Sequence, residues 1–77
     1  MTKQEAEIKR NTNKHLVGKT AIQKGNGAIV TITRISVDQI FDTDSYHVSC
    51  SLSGAIGGTT NNITIDLDML LNNYTLQ

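Results

Sequence analysis

From residue 16 onward, apolar and polar positions alternate with a period of two, the pattern of strands with one buried and one wetted face. Residues 19–24 and 28–37 form two such runs. Between them Gly25-Asn26-Gly27 tolerates positive φ and predicts a tight hairpin. In a third run Tyr46, Val48, Cys50 and Leu52 alternate with His47, Ser49, Ser51 and Ser53; in a fourth, Ile63, Ile65, Leu67 and Met69 alternate with Thr64, Asp66 and Asp68. The cluster Asp42-Thr43-Asp44-Ser45 predicts a turn, and residues 54–62, with three glycines and two asparagines, predict a flexible connection between the third and fourth strands. Asp68 is expected to cap a closing helical turn over residues 69–73, tucking Leu70, Leu71 and Tyr74 against the sheet.

The first fourteen residues follow a different rule. Thr2 and Glu5 form a capping box, Met1 and Ala6 occupy the staple positions, and Glu5 to Lys9 is a correctly oriented i, i+4 pair. Glu5 and Glu7 suit the start of a helix, and Lys9, Arg10 and Lys14 its end. Between Met1 and Leu16 the only large hydrophobe is Ile8, so this helix is expected to dock lightly or to serve as an arm toward a partner. The expected organisation is a helix over residues 1–15 followed by a small β-domain over residues 16–77.

Composition bounds this picture. A chain of 77 residues is long enough for one core only, and 20 of those residues are Leu, Ile, Val or Phe, enough to fold. A core this small, with no disulfide to support it, makes homo-oligomerisation an open reading. Cys50 has no cysteine partner, no signal-peptide pattern is seen, and no apolar run reaches the 18 or so residues of a membrane span, so a soluble cytoplasmic protein is expected. The sequons at Asn62 and Asn73 then carry no weight. Zero net charge conceals an asymmetry: residues 1–34 hold all seven bases and two acids, whereas residues 35–77 hold five acids and no base. Such halves either neutralise each other within the domain or steer a partner. The Ile, Asn, Thr and Lys content matches that of proteins encoded by AT-rich genomes, such as those of low-GC bacteria and their phages.

The order of elements, with Gly18 before the first strand, the Gly25-Asn26-Gly27 turn and the ending Ile65-Asp66-Leu67-Asp68-Met69-Leu70-Leu71-Asn72-Asn73-Tyr74, resembles the small Src-homology-like and KOW-like β-barrels over residues 16–76. The resemblance implies a mainly β fold: a four- to five-stranded antiparallel barrel with an N-terminal helix and a short C-terminal helical turn. Such barrels serve as adaptors, nucleic-acid binders and assembly parts, so the fold alone does not specify an activity. Only Phe41, Tyr46 and Tyr74 are aromatic, which argues against an aromatic groove for proline-rich ligands.

The reactive side chains are few. His47 and Cys50 are three residues apart on a strand and therefore face opposite sides, which excludes a local dyad; Cys50 is expected in the core, His47 on the wetted face and His15 at the end of the helix. No His or Cys pair has zinc spacing, Asp66 and Asp68 form the nearest approach to a hard-cation pair, and residues 42–46 lack the glycine and terminal glutamate of a calcium loop. Residues 53–60 are glycine-rich yet lack the spacing and lysine of a phosphate loop. The expectation is therefore a protein with no catalytic residues, metal or cofactor. The favoured reading is a phage or mobile-element accessory module that binds a host protein and modulates it, for instance by inhibiting a bacterial defence system. Its candidate contacts are Lys3, Arg10, Lys14, Lys19, Lys24, Arg34 and Ile56. The alternatives are a nucleic-acid-binding barrel that uses the same bases and an oligomer that sequesters a small anion.

Overall fold

A computed structural model describes residues 1–56 and 59–77, with positions 55, 56, 59 and 60 described by their backbone only. Helix α1 (Lys3–Asn13) passes through a 3-10 turn (Lys14–Leu16) into β1 (Thr20–Gln23) and β2 (Ile29–Gln39). The chain continues through β3 (Tyr46–Ile56), β4 (Thr59–Asp66), α2 (Leu67–Asn73) and β5 (Tyr74–Leu76). All five strands pair antiparallel in one sheet, in the order β4-β3-β2-β1-β5.

The sheet is open, which corrects the expected closed barrel. Closure requires the two outermost strands to pair. Here those strands are β4 and the three-residue β5, which do not pair, and α2 links them along the chain. Leu67 and Leu70 of α2 are fully buried, as is Ala6 of α1. They join Leu16, Ala21, Val30, Ile32, Ile35, Val48, Cys50, Leu52 and Tyr74 in a single core on one face of the sheet. The opposite face stays wet and hydroxyl-rich, as antiparallel sheets permit.

The capping box forms as its sequence dictates: Glu5 N–H donates to Thr2 Oγ1 at 3.1 Å, and Thr2 N–H donates to Glu5 Oε1 at 3.0 Å. Hydrogen bonds from Thr2 hold the Glu5 carboxyl below its ordinary value. The helix docks through its smallest apolar side chain. Ala6 is 0% exposed while Ile8 is 58% exposed, so the helix sits close to β2 and β3 through a methyl group and points its one large hydrophobe outward. Its start is pinned by Met1, whose C=O accepts from Tyr46 N–H at 2.8 Å and whose ammonium donates to Tyr46 C=O at 3.3 Å. Met1 thus continues the edge of β3 beyond the point where β4 has turned into α2. The helix is folded onto its own domain, not extended as an arm.

Three further expectations are corrected. Residues 54–56 and 59–62 are not loop: they lie in β3 and β4, which pair without a register shift from Ser49↔Asp66 to Ile56↔Thr59, and the β-branched Thr and Ile of β4 suit a strand. Positions 57 and 58 of that predicted loop lie outside the described residues. The cap of α2 is Asp66, whose Oδ1 accepts from Asp68 N–H at 2.9 Å, and the helix begins two residues earlier than expected. Asp66 and Asp68 therefore do not share a strand face. Of the residues expected to tuck under the sheet, Leu70 and Tyr74 do so, whereas Leu71 is exposed. In β2 the register shifts between Ile32 and Arg34, leaving Thr33 as the extra residue of a bulge. The core spacing Val30, Ile32, Ile35, Val37 is the trace of this bulge in the sequence.

Candidate functional site

The β2–β3 turn carries an exposed aromatic ring beside two carboxylates. At its base Ile40 N–H donates to Ser45 C=O at 2.9 Å. Across the turn Ile40 C=O accepts from Thr43 N–H at 3.1 Å and from Thr43 Oγ1 at 2.8 Å. Thr43 Oγ1 also accepts from Ser45 N–H at 3.1 Å, and Gln39 Nε2 donates to Thr43 C=O at 2.8 Å. Asp42 takes a left-handed φ of 63°, which Asp tolerates better than most residues. Between these fastenings Phe41 is 92% exposed. Its ring, with Gln39, Asp42, Thr43 and Asp44, lines an open concavity that contains two carboxylates and no base. The sequence marked residues 42–45 as a turn, but composition carried no signal that the single phenylalanine would lie at its tip instead of in the core.

A polar network lies on the wet face of the sheet. Register places Asp38 opposite His47, Ser36 opposite Ser49, and Ser49 opposite Asp66. Ser49 Oγ donates to Asp38 Oδ2 and lies 3.4 Å from Ser36 Oγ, while His47 Nδ1 stands 3.6 Å from Asp66 Oδ2. Ser49 is buried among these neighbours, contrary to the fully wetted position that alternation implied. Activating a serine nucleophile requires a base that takes its proton. Here the Ser49 proton is directed at Asp38, and His47 leans toward a different carboxylate, so the geometry is that of a surface network that fixes strand register. Cys50 faces the other side, buried, and desolvation followed by the charge of Asp66 pushes its thiol up to about 11. A thiol in that state is a poor nucleophile at neutral pH. Among the described residues no group of three His, Cys, Asp or Glu is placed to hold a metal ion, and no helix is long and apolar enough to cross a membrane.

The basic residues singled out from the sequence are distributed over several surfaces. Lys3 and Arg10 lie on α1 and Lys14 in the 3-10 turn after it, whereas Arg34 belongs to the opposite, wet face of the sheet beside the β2 bulge. Lys19 precedes β1 and is exposed. Lys24 donates through Nζ to Asn72 C=O at 3.2 Å, satisfying a carbonyl at the end of α2. Lys9, which the sequence reading did not select, pairs with Asp68 at 2.7 Å and ties α1 to α2. The basic N-terminal part and the acidic C-terminal part thus meet at that bridge. Ile56 is paired to Thr59 through the backbone, and its side chain is outside the described residues.

A scan against protein-family models, a search of curated proteins and a search of solved structures found no match to this chain.

Proposed function

We infer that the chain is a non-catalytic binding module that docks on another protein through the β2–β3 turn. Phe41 enters an apolar pocket of the partner, and Asp42 and Asp44 meet basic residues at the rim of that pocket. The observation that carries this reading is a phenyl ring 92% exposed on a turn held by five hydrogen bonds. Exposing the only phenylalanine of a 77-residue chain forgoes core burial that a small domain needs. Holding it ready on a fixed turn removes much of the ordering cost of association, and aromatic anchors typically dominate interface energetics. In this reading the partner is a host protein and the chain acts as a phage or mobile-element accessory factor that occupies a surface of its target, an origin in keeping with its Ile, Asn, Thr and Lys content.

The test is affinity capture from the organism that encodes the chain, followed by titration of the captured protein against wild type, Phe41→Ala and the double variant Asp42→Lys, Asp44→Lys. Loss of a central aromatic anchor is expected to weaken binding by roughly 30-fold or more. The charge reversal should slow association most at low salt. A partner that binds Phe41→Ala as tightly as wild type removes the turn from the interface.

A further inference from the structure

We propose that the outer edge of β4 pairs with β4 of a second copy of this chain, antiparallel about Ile63, joining two five-stranded sheets into one of ten strands. This goes beyond the reading of the β2–β3 turn, which uses no residue of β4.

Strand β4 is the long edge of the sheet, eight residues against three for β5. Natural sheets protect such edges with lysine, proline or bulges, and β4 carries none of these: its sequence is Thr-Thr-Asn-Asn-Ile-Thr-Ile-Asp and its register with β3 is unbroken. The direction of its outward groups follows from the alternation along β3. Tyr46 directs its N–H and C=O to Met1, on the β4 side, and Ser51 C=O accepts from Thr33 on the β2 side. Period two then turns Cys50 and Leu52 toward β4, so their partners Ile65 and Ile63 face β3, and Asn62 and Thr64 present their backbone groups to the open edge.

An antiparallel pairing about Ile63 matches those groups. Asn62 of each copy exchanges backbone hydrogen bonds with Thr64 of the other. The two Ile63 side chains, each 45% exposed, meet in a close non-hydrogen-bonded pair on the core side. They would close over an apolar dimple lined by Val30, Leu52, Gly54, Asn61 and Ile63. Charge selects the same arrangement. Asp66 is the only charged residue on β4, and the antiparallel pairing separates the two copies of it by about 20 Å at roughly 3.4 Å per residue. That is beyond the screening length at physiological salt. A parallel pairing in register would set the two carboxylates side by side. A single strand pair is a small interface, so the dimer is weak and depends on concentration.

Sedimentation equilibrium of the full chain from micromolar to near-millimolar concentration should show a monomer–dimer equilibrium. Two variants test the register: Asn62→Pro deletes an outward N–H, and Ile63→Lys sets two ammonium groups against each other on the axis. Each should weaken the dimer tenfold or more with unchanged circular dichroism, and mixing Ile63→Lys with Ile63→Glu should restore association. Amide exchange on wild type provides a readout without mutation, since the Asn62 and Thr64 amides should gain protection as concentration rises. A strict monomer across the range overturns the proposal, as does a dimer indifferent to both substitutions. A monomer whose β4 amides become protected only when a foreign extended peptide is added overturns the second copy as the occupant.

Discussion

Helix α1 meets the sheet through its smallest apolar side chain, and this makes a sharp pair of substitutions available. Ala6 is fully buried against β2 and β3, while Ile8, two positions on, is more than half exposed. Replacing Ala6 with Leu adds three carbons at a fully buried position and should cost about 1–3 kcal/mol through overpacking. Replacing Ile8 with Lys, an exposed change to a good helix former, should fall within about 0.5 kcal/mol of wild type. A domain of this size has about 4–12 kcal/mol in total at the usual stability per residue, so the first change consumes a substantial fraction. For domains of 60–100 residues, each kcal/mol shifts the melting temperature by about 4–8 °C. Urea unfolding followed by circular dichroism reads both quantities, and its slope tells whether the helix detaches on its own. A lower midpoint with a smaller slope for Ala6→Leu would mean that α1 has come away while the sheet persists. If Ile8→Lys costs more than a kcal/mol and Ala6→Leu costs nothing, the helix docks by its other face and the argument for the core is wrong.

Two other substitutions probe the β3 row. A Cβ on Gly54 would lie 3.0 Å from both Ile29 C=O and Val30 Cγ1, so Gly54→Ala should lose about 1–3 kcal/mol, with Ser53→Ala on the other face as the control; equal melting temperatures would show that the crossing of β2 and β3 is looser than described. Burial raises the Cys50 thiol from 9.0 to about 11, which favours its neutral form in the folded chain. Its contribution to stability is therefore complete below pH 9.0 and is lost as pH rises to about 11, up to ~3 kcal/mol in all. Cys50→Ala should flatten that alkaline decline, and parallel pH profiles for the two proteins would refute the assignment. The same burial predicts alkylation of Cys50 only upon unfolding.

Much of the fold was legible along the chain because it rests on short-range rules. The capping box at Thr2 and Glu5, the Gly25-Asn26-Gly27 hairpin with positive φ at both glycines, and the alternation of Val48, Cys50 and Leu52 depend on neighbours a few residues away, and all three are present. The alternation of Ile63 to Met69 misled beyond Asp66, since a period-two pattern over four residues also fits a helix that buries Leu67 and Leu70 and exposes Met69. Whether the sheet closes was not a local question. It depended on whether β4 and β5 pair, and these strands, joined through α2, lie at opposite edges of the sheet and do not pair. The candidate site was harder still to read. Phe41 and Ile63 are large hydrophobes that a sequence assigns to a core by default, and only the packed structure shows one at the tip of a turn and the other beside an open edge. The sequence by itself determined α1, the β1–β2 hairpin and the alternating part of β3, because hydrogen bonding and side-chain periodicity are set within each of those segments. Tertiary packing decided which apolar residues are left outside, because burial is shared among segments distant in the chain and the core has room for only some of them.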